Sequence, residues 1–303
     1  GVLFGGESTE IYVQVVTSGM DAGYYSANIN VTAPNVESAS IGVNLFVTGD
    51  NSTPILPNID ISSSENGIVN LPDDVDSLFS NVASRYTHIV APNGDLIQFL
   101  IQDNFTVPQI LHTRRVLESY LTDIPDTDWG SNKSNIAIAM AASNAIMFLL
   151  NDEDEYENPY LWDIFDSGVN GQDLLAIEVF PEGSSEYMNS TERDATYEEV
   201  LHFMHGFGVQ LALPAMQNAI ESAMLNAINN DVYNPLSDLP EDDFDEEYLA
   251  MGLECYFGLW AHDPNGDGFC GDQEYAFITR EAMETGDSAL FAIINGFFGE
   301  AWE

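Results

Sequence analysis

Residues 194–208 read Asp194-Ala195-Thr196-Tyr197-Glu198-Glu199-Val200-Leu201-His202-Phe203-Met204-His205-Gly206-Phe207-Gly208. The stretch holds two of the five histidines and two adjacent glutamates, and its pattern predicts one short helix from Thr196 to about Phe207. At about 100° per residue, Glu198, His202 and His205 share a face, with Glu199 one step round. Carboxylate and imidazole groups converging from one face can bind a metal ion. The same residues also fit an ordinary helix start. Thr196 as N-cap with Glu199 three positions on makes a capping box, and Glu198 suits the positive end of the helix dipole. Both readings stand on the sequence. Gly206 and Gly208 are expected to end the helix.

Outward from this stretch, the chain has 303 residues, 45% of them apolar, enough to bury a sizeable core. Its charge is extreme: 50 Asp and Glu against 6 Lys and Arg give −44, and Lys133 is the only lysine. Such a surface repels nucleic acid and anionic membranes and attracts divalent cations. It fits a protein of saline, marine or calcium-rich surroundings. The start at Gly1 and five Asn-x-Ser/Thr sequons, at Asn30, Asn51, Asn104, Asn132 and Asn189, point to a secreted, extracellular glycoprotein. No apolar run reaches the roughly 18–20 residues of a membrane helix, so no membrane insertion is expected. Cys255 and Cys270 could pair in an oxidising compartment and close a loop contributing about 3 kcal/mol.

The fold class expected is α+β, preceded by a small all-β segment. Residues 1–50 carry strand-like runs at Glu10–Thr17, Tyr24–Thr32 and Ala39–Thr48. Residues 51–82, with Pro54, Pro57, Pro72 and a serine run, read as a linker. From 83 to 303 a hairpin around Pro92-Asn93-Gly94-Asp95 opens a small sheet, and a helical half follows, with helices expected at 108–121, 132–143, 213–229 and 287–298 and one running to about Trp260.

The most specific local signal is Asp263-Pro264-Asn265-Gly266-Asp267-Gly268-Phe269-Cys270-Gly271-Asp272-Gln273-Glu274. It has the spacing of an EF-hand calcium loop. Asp263, Asn265 and Asp267 offer side-chain oxygens, Phe269 a carbonyl, and Glu274 a closing carboxylate. Bound Ca²⁺ would stabilise this region.

Three elements resemble a known family. Glu198-Glu199-Val200-Leu201-His202 occupies the frame of the zinc-peptidase sequence H-E-x-x-H. Glu247-Tyr-Leu-Ala-Met-Gly-Leu-Glu-Cys-Tyr-Phe resembles the gluzincin helix that supplies a third ligand. Ile278-Thr-Arg-Glu-Ala-Met-Glu-Thr-Gly-Asp-Ser-Ala-Leu-Phe resembles a segment of the lethal-factor-like group of those metallopeptidases. The resemblance covers roughly 83–303. It implies His202 and Glu247 as ligands of Zn²⁺ or another divalent metal and Glu199 as general base. Glu198 stands where the family has histidine, and His205 could substitute. Two carboxylates and one imidazole move the preference toward harder ions than Zn²⁺. Asp21–Thr32 and Ala39–Thr48 are similar to the last strands of bacterial Ig-like modules, whose open edges would allow self-assembly with other copies of the chain. Two functions follow. One is a secreted, calcium-stabilised structural or binding protein, a pseudoenzyme on a metallopeptidase-like scaffold. The other is an active zinc endopeptidase with a Glu/His/Glu site.

Overall fold

The computed structural model describes residues 23–31, 39–47, 54–180, 188, 193–237, 239–263, 265–271 and 273–299. The chain divides into two units, Gly1–Pro54 and Ile55–Glu303. In the first, β1 (Gly23–Val31) and β2 (Ala39–Val47) form an antiparallel pair in register from Gly23 opposite Val47 to Val31 opposite Ala39. The run expected at Glu10–Thr17 lies outside the described residues.

The second unit is α+β. Its sheet has the order β3-β4-β5-β6-β7, built from Val69–Asn70, Arg85–Val90, Leu96–Ile101, Ile146–Leu150 and Gly171–Leu175. The first three strands are antiparallel, with β4 and β5 joined by the expected hairpin. The β5–β6 and β6–β7 pairs are parallel. Parallel neighbours need a crossover, and helices provide it. Before β6 come α1 (Ser77–Ser80), α2 (Val107–Tyr120) and α3 (Ser134–Ala142), the last two lying in the β5–β6 crossover. Between β6 and β7 lies α4 (Pro159–Asp166).

The sheet is covered on both faces, and strand periodicity divides its side chains between two cores. Ile97, Phe99, Ile101, Met147 and Leu149 enter the larger core with the helical half. Leu100, Ile146, Phe148 and Leu150 enter a smaller one with Leu56, Ile59, Val75, Phe79 and Val82. Those last five residues correct the linker expected over 51–82. The segment from Ile55 belongs to the second unit, because its sparse apolar residues cover the sheet's second face. Gln98, buried there, donates to the Leu56 carbonyl at 3.1 Å and accepts from the Tyr86 hydroxyl at 2.9 Å.

The helical half begins with α5 (Thr196–Met204). The chain does not stop at the glycines. It widens into a π turn, His205–Val209, and continues through Gln210–Ala212. Gly208 serves close packing instead: a Cβ there would stand 2.7 Å from Ile136 Cγ2 and 2.8 Å from Met140 Cγ on α3. Then come α6 (Pro214–Asn229), α7 (Phe244–Phe257), α8 (Arg280–Gly286) and α9 (Ser288–Phe298). Helix α7 is buried almost all round, as its apolar sequence requires of a central helix. Among the described residues no helix is long and apolar enough to cross a membrane.

Candidate metal centre

Helices α5 and α7 pack together and assemble a cluster from residues far apart in the chain. One ligand atom from each of Glu198, His202 and Glu247 lies within 4.8 Å of the other two. No other group of three His, Cys, Asp or Glu meets that condition among the described residues. Glu198 and His202 are one helical turn apart on α5, and Glu247 comes from the first turn of α7.

Two observations test whether these residues fit a divalent ion. His202 is 93% buried by its 7% exposure, yet its Nε2 makes no hydrogen bond to the protein. An unmet buried nitrogen costs about 1–3 kcal/mol. Burial pushes the imidazole pKa down against the pull of Glu198 and Glu246, which keeps the ring neutral, the form that ligates. The second observation is surplus negative charge. Burial, then Glu198 and Glu274, push Glu247 up to about 8. Burial, with Glu198 and Asp173 next, holds Glu199 well above the usual carboxylate range. A divalent cation would meet both deficits, and one imidazole with two carboxylates is a competent donor set.

The capping-box reading of Glu199 is overturned. The N-cap is Ala195, Thr196 lies inside the helix, and Asp194 Oδ1 accepts the Thr196 N–H at 3.0 Å. Glu199 Oε2 instead accepts from Gln172 Nε2 on β7 at 2.7 Å. Next to Gln172, Asp173 accepts the Tyr156 hydroxyl at 2.7 Å.

His205 does not join the cluster. Its Nε2 is 2.7 Å from Gln217 Oε1 on α6, and its Nδ1 is 3.5 Å from Glu246 Oε1 on α7. Sequence reasoning missed Arg193. Its Nη2 donates to Glu198 Oε2 and its Nε to Glu254 Oε1, the latter at 2.5 Å. Glu254 is fully buried, also accepts from Trp260 Nε1 at 2.7 Å, and is pushed up to about 7 by burial against the opposing pull of Arg193. Glu254 lies seven residues after Glu247, two turns along the same face, which is the one signal the sequence offered.

The calcium loop makes its turns but does not gather its carboxylates. Gly266 and Gly268 take φ of +69° and +79°. Asp263 Oδ1 accepts the N–H groups of Asp267 at 3.1 Å and Gly268 at 3.2 Å, and Asp267 Oδ1 that of Phe269 at 3.0 Å. Asp263, Asp267 and Glu274 are not brought within 4.8 Å of one another, and Glu274 is buried. The expected Cys255–Cys270 pairing is not made; both are buried free thiols. Cys255 Sγ lies 3.3 Å from the Thr279 carbonyl, and Cys270 Sγ 3.7 Å from Met251 Sδ. Of the sequons, Asn104 and Asn132 are exposed, Asn51 and Asn189 lie outside the described residues, and Asn30 is described only as part of β1.

No protein-family model, curated protein or solved structure matches the chain.

Proposed function

We propose that the protein is a divalent-metal-dependent hydrolase of the peptidase type, with Glu198, His202 and Glu247 as ligands and Glu199 as general base. The observation that carries this reading is the convergence of one ligand atom each from Glu198, Glu247 and the buried His202, a residue whose Nε2 has no hydrogen bond to the protein. A divalent ion held there would supply a Lewis acid for a peptide carbonyl. Glu199 would take the proton of the attacking water and return it to the leaving amine. Burial and the neighbouring carboxylates raise its pKa, which makes it a stronger base toward that proton than an ordinary carboxylate. Gln172 would keep that carboxylate beside the ligands. The strongly acidic composition supports an extracellular, cation-rich setting.

The test is elemental analysis of purified protein together with a peptide-hydrolysis assay. One equivalent of a divalent transition metal is expected. Glu199→Gln should keep that metal and lower the rate by about 100-fold or more. Equal rates for the two proteins would remove Glu199 from the mechanism.

A second reading, an extracellular assembly protein without catalysis, is favoured by the first unit. Its described part is a two-stranded ribbon, too small to be stable by itself and open to pairing with another copy. Sedimentation across a concentration series distinguishes the two, since a monomer at all concentrations counts against assembly.

A further inference from the structure

Arg193 reaches both helices that carry the ligands. One guanidinium holds Glu198 of α5 through Nη2 and Glu254 of α7 through Nε, and it lies 5.5 Å from the Trp260 ring. Its position therefore fixes the approach of α5 to α7, and with it the spacing between Glu198 and Glu247. It also has a consequence for coordination. A carboxylate that gives one oxygen to a guanidinium has the other left for an ion. Zn²⁺ is satisfied by four ligands and takes single carboxylate oxygens readily. Larger, harder ions prefer six or more oxygens and can take both oxygens of a carboxylate where both are free.

We propose that Arg193 is the residue that sets ion preference at this centre, by restricting Glu198 to one-oxygen coordination and so favouring Zn²⁺ over Mn²⁺. This rests on the metal-centre reading above. It runs against the preference for hard ions expected from two carboxylates and one imidazole alone, because one of those carboxylates is half occupied. Arg193 touches neither substrate nor ion in this scheme and acts through Glu198. Removing its positive charge changes the attraction for two divalent ions alike, so the ratio of their affinities isolates the effect on coordination.

The experiment is calorimetric titration of the full chain, freed of metal by chelation, with Zn²⁺ and separately with Mn²⁺ at fixed ionic strength. The variants are Arg193→Met combined with Glu254→Gln, which avoids leaving a buried unpaired charge, and Glu254→Gln alone. The Zn²⁺/Mn²⁺ affinity ratio should fall by about tenfold or more in the double variant, the scale of outer-shell effects. It should stay near wild type in Glu254→Gln. Arg193→Met alone, which also removes the donor to Glu198, is the second route should the double variant not fold, and the same fall is expected. An unchanged ratio in a folded Arg193 variant that still binds Zn²⁺ overturns the role of Arg193 and leaves the centre standing. Absence of stoichiometric Zn²⁺ binding by the wild type overturns the centre itself, and this inference with it.

Discussion

Gln172, on the edge strand β7, donates a 2.7 Å hydrogen bond to Glu199 on α5. The bond ties the end of the sheet to the helix that carries two of the three candidate ligands. A carboxylate in so negative a neighbourhood has several orientations available to it, and Gln172 selects one. Gln172→Leu should reduce hydrolysis by about tenfold while leaving metal content at one equivalent, since hydrogen bonds to a charged group contribute about 1.5–3 kcal/mol. Steady-state kinetics beside elemental analysis separates this from loss of the ion.

Metal binding should raise stability with the logarithm of ligand excess. At Zn²⁺ 100-fold above its dissociation constant the gain is about 2.7 kcal/mol. His202→Ala and Glu247→Gln should each abolish that gain in a urea titration. A wild-type midpoint that ignores added Zn²⁺ would speak against the site.

Lys133 is fully buried with Nζ 4.1 Å from the Phe297 ring centroid, and burial drives its pKa from 10.5 down to about 8. Between those values the unfolded chain binds more protons than the folded one, so this group's contribution to stability rises with pH across that window. Below about pH 8 the full penalty, about 3 kcal/mol, is present. Lys133→Met should therefore be more stable than wild type at pH 7, by somewhat less than that penalty because about 0.5–2 kcal/mol of cation–aromatic attraction is lost. The advantage should shrink toward pH 10, as read from paired denaturant titrations.

Gly252 on α7 faces α9 so closely that an added Cβ would lie 2.4 Å from Leu290 Cδ2. Alanine gains about 1 kcal/mol of helix propensity but forces an overlap costing about 1–3 kcal/mol. Gly252→Ala should lower the melting temperature. Combined with Leu290→Ala, it should cost less than the sum of the two single changes.

Because Cys255 and Cys270 are free thiols, a thiol reagent should find two groups after unfolding and react slowly before it. Burial pushes Cys255 up to about 12, which suppresses the reactive thiolate as well as hiding it. A melting temperature that falls on adding reductant would show a bond instead.

Much of the second unit was legible because its signals are local. Ile146–Leu150 is an unbroken apolar run, which is what a strand covered on both faces must be. Pro92–Asp95 announced the hairpin, Glu198 and His202 share a helix face by their spacing, and Glu247 entered only through the resemblance to the gluzincin helix. What failed depended on contacts made at long range. The residues of 55–82 have too few apolar positions to show a period, yet Leu56 and Phe79 each find the sheet. Glycines 206 and 208 looked like a stop because the sequence does not show α3 pressing against Gly208 or Glu246 lying beside Gly206. Thr196-x-x-Glu199 is a capping box only if nothing better reaches the glutamate, and Gln172, 27 residues upstream, does. The Cys255–Cys270 spacing says nothing about which way each thiol turns.

The six cationic side chains bear on how the molecule can be handled. Lys133 is buried, Arg85, Arg114, Arg193 and Arg280 are half-buried, and Arg115 alone is exposed. With no lysine on the folded surface, amine-directed dyes, cross-linkers and resins have no lysine to couple to. Trypsin meets one freely presented site, Arg115, and that site lies within α2. Fragmentation for mass spectrometry is better served by a protease that cuts after acidic residues, and oriented attachment by an introduced lysine at an exposed position such as Asp95.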